Sequence, residues 1–390
     1  MLIGEPVVEV EWPRTLKLVN APANITLLNP GQCIRVGVVA TGDNRDAYLD
    51  QTRVSFRVRF NGQTDEHPFA AYAQTKQIKP EGGDFVTAAL AAGGIKNPLL
   101  TMASLGATAD KWCVPSNAAD GNATVEAEAE VPGGRVALTP SKVQIESFAS
   151  GSSRKFKNIE EFGNYSQTYY RQPNPARLVP ALQMAIESQT ANHKSDLIGI
   201  ASAFLSAALK ADPLAEKDFL ARMPEQTPLV RSLGLVIVHS AGYDIDSVVK
   251  TLSAEDQEKL KSIPSMPDPF DLSPTREVFG HLDLMWSTFG ATGDFKPVAT
   301  IASTLAWRAD YDEFDKMRKS GTHPSEITPS LARGLAYMAA GWSMESFQRN
   351  DPLVADYIEF MLASPDVSPA IKTELTGLST DPAFKRDKAN

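Results

Sequence analysis

Hydrophobic and polar residues alternate with a period of two in the first part of the chain. The apolar residues of Arg53–Phe60 fall on one face and the polar residues on the other, and Thr124–Val131 alternates in the same way. This pattern is typical of a strand with one buried and one solvated face. Cys33–Val39 is a further short apolar run, and Gly, Pro and Asn separate these segments. The pattern predicts an Ig-like β-sandwich over residues 1–150.

The period changes to a helical one in the second part. Leu331, Leu335 and Met338 follow one another at steps of four and three residues, which places them on one apolar stripe of a helix. The helical period predicts an all-helical domain over residues 174–390. We expect the segment between the two patterns, residues 151–173, to be a linker.

Proline marks the starts of these helices. A capping side chain accepts a hydrogen bond from a first-turn N–H, and a proline at the first helical position has no N–H to leave unpaired. Seven such pairs occur: Asn174-Pro175, Asp212-Pro213, Thr227-Pro228, Ser273-Pro274, Thr328-Pro329, Asp351-Pro352 and Ser368-Pro369. They predict a series of short helices joined by tight turns.

Two segments of this part are similar to each other. Asp212-Pro213-Leu214 leads to Thr227-Pro228, and Asp351-Pro352-Leu353 leads to Ser368-Pro369. Each segment predicts a capped helix, a turn and a second capped helix. We interpret them as a weak internal repeat of helical hairpins, and the domain as an α-solenoid-like array.

Composition and charge exclude several classes of protein. A chain of 390 residues exceeds one ordinary core, which indicates two domains or more. The net charge of −9, mildly acidic in both parts, argues against nucleic acid or an anionic membrane as the main partner. No apolar run reaches the ~18 residues of a spanning helix. Two cysteines and five scattered histidines provide no zinc ligand cluster, and we expect no cofactor.

The two cysteines, Cys33 and Cys113, both lie in the predicted β-domain. We predict a disulfide between them, and the alternative is two unrelated core thiols. A disulfide favours a periplasmic or secreted location over a cytoplasmic one. The first residues show no secretory signal, so we expect either a mature exported chain or a cytoplasmic protein.

Oxygen-bearing side chains form one candidate metal site. Asp43, Asn44, Asp46 and Asp50 cluster within eight residues and could hold calcium. The alternative is ordinary turn chemistry, because Arg45 interrupts the cluster.

Aromatic side chains form one candidate ligand site. Tyr165, Tyr169, Tyr170 and Arg171 combine flat rings with hydrogen-bonding tips, as in a glycan or peptide groove. The alternative, which we favour, is that these rings hold the two domains together.

Three residues are candidates for acid–base chemistry. His239 lies near the end of an apolar helix, where the helix dipole also favours histidine for structural reasons. His281 and Asp283 are two residues apart, a spacing that points them away from each other on a helix.

No nucleophile, base and oxyanion donors stand together in the sequence, and helical arrays commonly offer extended surfaces to partners. We therefore expect a non-enzymatic binding or scaffold protein that acts through protein–protein or protein–polymer contacts. The alternative is a hydrolase with an active site in the inter-domain cleft, in which His281, Asp283 or His239 would act.

Overall fold

The computed structural model of the chain describes residues 15–21, 27–41, 53–70, 110–131, 134–137, 140–170, 173–192, 197–262, 266–275, 278–321, 326–364, 367–378 and 380. These residues fall into two compact units. The described strands up to Ser147 belong to the first unit, and the helices from Phe148 onward belong to the second.

The described strands of the first unit are β1 (Thr15–Ala21), β2 (Leu27–Leu28), β3 (Cys33–Thr41), β4 (Arg53–Phe60), β5 (Gln63–Ala70), β6 (Asp110–Cys113), β7 (Gly121–Val131), β8 (Gly134–Ala137) and β9 (Ser141–Ile145). They form two open sheets. One is antiparallel with the order β1-β3-β6, and the other follows the path β2-β9-β7-β4-β5 with β8 beside β7. The second sheet is mixed because β2 pairs with β9 in parallel.

The hairpin of β4 and β5 follows directly from the alternating pattern. Val58 and Phe60 are buried while Arg57 is exposed. Asn61 and Gly62 both have positive φ angles, 49° and 78°, as a two-residue turn of type I′ requires. The predicted strand Arg53–Phe60 is confirmed at both of its ends.

Alternate residues of the strands form the core of the first unit. The rings of Phe60 on β4 and Trp112 on β6 pack edge-to-face, with their centroids 6.1 Å apart. The core therefore includes a residue from each sheet. The buried strand residues also include Leu28, Ala123, Val125, Val143 and Ile145. The open sheets do not confirm an Ig-like β-sandwich, which remains a prediction, and the described residues are mostly helical.

The second unit consists of helices, as expected for the second part of the chain. Its α-helices are α1 (Phe148–Ser153), α2 (Ile159–Thr168), α3 (Leu178–Asn192), α4 (Leu197–Ala211), α5 (Pro213–Arg222), α6 (Pro228–Ser240), α7 (Asp246–Val249), α8 (Ala254–Ser262), α9 (Val278–Thr292), α10 (Phe295–Ser303), α11 (Arg308–Lys319), α12 (Pro329–Asn350), α13 (Pro352–Ala363) and α14 (Pro369–Gly377). In the described part of the chain, no helix is both long enough and apolar enough to cross a membrane.

Six of the seven predicted pairs start a helix, and in four of them the side chain before the proline accepts a first-turn N–H. Asn174 and Thr227 form no such cap hydrogen bond. We call α5 and α6 the first hairpin, and α13 and α14 the second hairpin. The Asp212 carboxylate accepts hydrogen bonds from two N–H groups at the start of α5. Asp351 caps α13 by accepting one such hydrogen bond, from the Leu353 N–H, and Ser368 caps α14. Pro274, by contrast, lies in a bend ahead of α9.

The segment predicted as a linker, residues 151–173, contains half of α1 and all of α2. Phe162 and Tyr169 are buried in the helical core, with Tyr165 packed against it. Their steps of three and four residues make an apolar stripe, which the polar residues between them obscure in the sequence.

Candidate functional site

The predicted tyrosine site lies at the end of α2 and in the turn after it. Tyr165 is half-buried, while Tyr169 and Tyr170 are only 4% and 7% exposed. Arg171 lies outside the described residues. The rings of Tyr169 and Tyr170 therefore belong to the interior of the helical unit.

An aromatic cluster surrounds the first two tyrosines. The Tyr169 ring stands edge-to-face against Tyr165 and Phe204, with centroids 5.4 and 5.3 Å apart. Phe156 contacts Tyr165 at 5.1 Å. Such ring pairs contribute about 0.5–1.5 kcal/mol each beyond their buried area. This cluster fastens α2 to α4.

Arg177 covers one side of the cluster. Its guanidinium lies 3.8 Å from the centroid of the Phe156 ring and donates a 2.9 Å hydrogen bond to Glu161. The Glu161 carboxylate also accepts the Lys157 N–H. These two hydrogen bonds, that from Lys157 first, lower the pKa of Glu161. The cation therefore belongs to an ion pair that braces the chain ahead of α3.

Tyr170 faces the second hairpin. Its hydroxyl donates to the Asp351 carboxylate, at 2.8 and 3.0 Å from the two oxygens. Asp351 is 5% exposed, and it also accepts the Leu353 N–H as the cap of α13. The Tyr170 ring packs on Phe289 at 5.3 Å. The Tyr170 side chain therefore covers the cap of α13.

The first hairpin begins in a more open setting. The Leu209 carbonyl accepts hydrogen bonds from the Asp212 N–H, at 3.1 Å, and from the Tyr243 hydroxyl, at 3.0 Å. Glu216 lies one turn further along α5, and its N–H donates to the Asp212 carbonyl. Burial raises the pKa of Glu216, and Lys217 opposes that shift only in part. Asp212, Glu216 and Tyr243 are therefore neighbours where α4 gives way to α5.

Tyr169 lies in the aromatic cluster with Tyr165 and Phe204. Its hydroxyl is buried and has no hydrogen-bond partner within the described residues. Burial raises its pKa well above the usual value, and the neighbouring Tyr165 and Asp212 add to the shift. Burial also raises the pKa of Tyr243, with contributions from Glu216 and Asp212. We call Asp212, Glu216 and Tyr243 the Asp212 corner.

A second polar cluster joins α11, α12 and α14. The Tyr337 hydroxyl donates to Glu374 at 2.5 Å and accepts from Arg308 at 2.9 Å. Burial raises the pKa of Tyr337, and the Glu374 carboxylate raises it further. A phenol with a raised pKa is a poor base or nucleophile at neutral pH. This cluster therefore acts as a brace between helices.

An ion pair next to this brace also joins α11 and α12. Arg333 donates two hydrogen bonds to Asp310, at 2.8 and 2.9 Å, and the Ser330 hydroxyl donates a third at 2.6 Å. These bonds, above all that from Arg333, lower the pKa of Asp310. The partners are 20 and 23 residues apart, so the sequence carries no local signal for them.

His239 lies on the exposed last turn of α6. The helix ends beside Gly242, whose φ is +96°, as in a common helix C-terminus. The nearby Asp244 carboxylate accepts the Asp246 N–H instead of approaching the imidazole. Among the described residues, no hydrogen bond to the His239 ring is formed.

His281 and Asp283 lie on α9 but do not meet. The His281 Nδ1 is 2.5 Å from the Asp271 carbonyl oxygen. Asp283 is exposed, and its main-chain carbonyl accepts the Ser287 hydroxyl. Partial desolvation raises the pKa of Asp283, but the residue remains open to solvent. The three acid–base candidates form no common arrangement with each other.

The calcium candidates Asp43, Asn44, Asp46 and Asp50 lie outside the described residues, and that site remains a prediction. Within the described ranges, no group of three or more His, Cys, Asp or Glu residues is arranged to hold a metal ion.

The two cysteines occupy one rung of the first sheet. Cys33 on β3 is the direct partner of Cys113 on β6. In the neighbouring pair, the Val114 N–H donates to the Gln32 carbonyl. The cysteines therefore fall at a non-hydrogen-bonded rung, where facing Cα atoms are about 4.5 Å apart. That spacing fits a disulfide, which remains a prediction.

Comparison with known proteins supplies no relative. No family model, no curated protein and no solved structure matches this chain. Its function has to be inferred from its own residues.

Proposed function

We propose that the protein is a non-enzymatic binding or scaffold protein whose helical unit contacts a protein or polymer partner. The supporting observation is the position of its exposed apolar side chains. Among the described residues, every large hydrophobic side chain that is clearly exposed lies within two residues of the start of a helix. These are Ile159, Leu214, Leu229, Phe279 and Ile327.

The hairpins show that this exposure is not a requirement of the motif. Leu214 and Leu353 hold the same position, directly after the first proline of each hairpin. Leu214 is 43% exposed, whereas Leu353 is 6% exposed. Complete burial of a leucine side chain stabilises by about 1.5–3 kcal/mol. A partner that covered Leu229, which is 52% exposed, would gain roughly half of that amount.

Two polar groups with shifted pKa values, Tyr337 and Asp310, also support binding over catalysis. Tyr337 and Asp310 are held by partners on other helices, which suits a rigid scaffold. Neither group shows the pKa near neutrality that acid–base catalysis prefers.

Photo-crosslinking in the native cell tests this proposal. A benzophenone amino acid in place of Leu229 should give a discrete adduct with a partner. The matched control carries the same group in place of Lys217, which is exposed on α5, and should give none. Equal labelling at the two positions would contradict a partner-binding surface at the helix starts.

The alternative function, a hydrolase, predicts a different result for variants of the candidate histidines. If the protein hydrolyses a substrate, His239→Ala or His281→Ala should reduce the rate by about two orders of magnitude with the fold retained. For a binding protein, both variants should crosslink like the parent chain.

We also propose that the two sheets pack as an Ig-like β-sandwich and that the helices form an α-solenoid-like array. The Phe60–Trp112 contact between β4 and β6 supports the sandwich. The two capped hairpins support the array.

An extracytoplasmic location is the last part of this proposal, and the rung shared by Cys33 and Cys113 supports it. We expect no reactive thiol in the denatured, unreduced protein. Two thiols per chain would remove both the disulfide and the argument for export.

A further inference from the structure

Three side chains of α9 lie on one face of the helix. Phe279, Asp283 and Trp286 follow one another at steps of four and three residues, which places them one above the other. Phe279 is 45% exposed and Asp283 is also exposed, whereas Trp286 is only 7% exposed. The Trp286 ring stacks on Phe347 of α12, with the centroids 4.0 Å apart. This face, which we call the α9 stripe, is therefore covered at Trp286 and open toward the start of the helix.

The indole N–H of Trp286 is a buried donor at the closed end of the stripe. It has no hydrogen-bond partner among the described residues. Aromatic side chains on a helix lean toward its N-terminus, over the residues three and four positions earlier. The indole therefore leans toward the turn that carries Asp283. Buried polar atoms are nearly always hydrogen-bonded, to protein or to another bound molecule, so this donor can serve an acceptor of a ligand on the stripe.

The Asp283 carboxylate is the only charge on the stripe. It forms no ion pair or side-chain hydrogen bond with the described residues, whereas Asp218 and Asp256 of the same unit each lie against an arginine. Desolvation raises the pKa of Asp283 although the residue is exposed. Its carboxyl group therefore lies against neighbouring atoms instead of projecting into water. A cation in contact would favour the ionised form, so the complementary ligand is positively charged.

We propose that the α9 stripe binds an arginine-bearing peptide segment of a protein partner. The guanidinium pairs with Asp283, an apolar side chain of the segment covers Phe279, and a main-chain carbonyl accepts the Trp286 N–H. Arginine fits because its planar guanidinium both pairs with a carboxylate and stacks on aromatic rings. The net charge of −9 also favours a basic partner. The inference rests on the proposed binding function, in which Phe279 is one of the exposed apolar side chains, and it names the chemistry of the partner.

A short peptide, N-acetyl-Leu-Arg methylamide, is the probe for this contact. The full chain, labelled with ¹⁵N, is titrated and followed by its tryptophan indole N–H signals, and Trp286→Phe identifies the signal of Trp286. That signal should shift with a Kd on the order of 1 mM. The matched control replaces arginine with citrulline, which has the same shape without the charge, and should bind at least fivefold more weakly. An unmoved Trp286 signal, or equal binding of the two peptides, would overturn the proposal.

Three variants locate the binding. Asp283→Asn removes the charge at nearly constant shape and should weaken binding of the arginine peptide at least fivefold. Phe279→Ala should weaken it several-fold. Glu359→Gln removes an exposed carboxylate from the middle of α13 and should change nothing. Equal effects of Asp283→Asn and Glu359→Gln would place the attraction in the overall charge of the chain and would overturn the site.

Two further results separate this contact from the alternatives. The same peptide with lysine in place of arginine should bind several-fold more weakly, and tighter binding of the lysine peptide would overturn the choice of a guanidinium. Absence of peptide binding together with a discrete crosslink at Leu229 would overturn this inference alone and leave the proposed function in place.

Discussion

The two hairpins begin with the same local chemistry and differ in what surrounds it. Each starts with Asp-Pro-Leu, and in each the aspartate accepts a first-turn N–H. Two consecutive tyrosines, Tyr169 and Tyr170, directly follow α2. Tyr170 bonds to Asp351 directly, whereas the Asp212 carboxylate accepts only first-turn N–H groups among the described residues. The helix cap therefore depends only on residues close in sequence, whereas the partner of the remaining carboxylate oxygen depends on the tertiary packing.

Replacing each of the two aspartates with alanine should give the largest difference in stability between the hairpins. Asp351→Ala removes a cap and leaves the Tyr170 hydroxyl buried without its acceptor, and we expect a loss of about 3 kcal/mol in the free energy of unfolding. Asp212→Ala removes the cap alone and should cost about 1 kcal/mol. Urea unfolding followed by the helical circular dichroism signal measures both. Equal losses would contradict the distinction between the caps.

Two glycines near the hairpins, both with positive φ angles, test the difference in packing around the backbone. Gly293 has a φ of +66°, and an added Cβ would lie 2.6 Å from the Tyr170 ring. Gly293→Ala should therefore destabilise by about 2–3 kcal/mol, from strain and steric overlap together. Gly242 has a φ of +96° but open space around it, so Gly242→Ala should cost about 1 kcal/mol. Thermal unfolding of the two variants compares these losses, and a larger loss for Gly242→Ala would contradict the tight packing at Tyr170.

The paired tyrosine variants test the hydroxyl groups alone. Tyr170→Phe removes a hydrogen bond to a buried carboxylate, and we expect a loss of about 2 kcal/mol. Tyr169→Phe removes a hydroxyl that has no partner, so its effect on unfolding should stay within about 0.5 kcal/mol or be slightly stabilising. A loss of the same size at Tyr169 would show that a bound water or ligand already pairs with that hydroxyl.

The sequence predicts the local parts of this arrangement well. The alternation in Arg53–Phe60 predicts both ends of β4, and the Asn-Gly pair predicts the turn after it. The Asp-Pro pairs give the starts of α5 and α13. Each of these depends on side chains within a few residues of one another, and such interactions are visible in the pattern.

The tertiary parts could not be predicted in this way. Tyr170 meets Asp351 across 181 residues, and Tyr337 meets Glu374 across 37. The tyrosine segment falls in the predicted linker, yet its rings pack against residues of α4 and α9. Which acids remain unpaired, and which leucines remain exposed, depends on packing that no local pattern contains.

The smallest expected effect concerns the second acid of the Asp212 corner. Burial raises the pKa of Glu216 above its ordinary value of 4.5, so the folded state favours the protonated form. This contribution to stability is fully present below pH 4.5 and is lost as the pH rises through the higher folded pKa. Relative to Glu216→Gln, the parent chain should therefore lose stability as the pH rises from about 4 to 7, by less than about 1 kcal/mol. Asp310→Asn serves as a control of opposite sign, because the pKa of Asp310 is lowered and its contribution is lost as the pH falls. Urea unfolding across this pH range measures both, and parallel curves for Glu216→Gln and the parent chain would show that the Glu216 carboxyl is not desolvated.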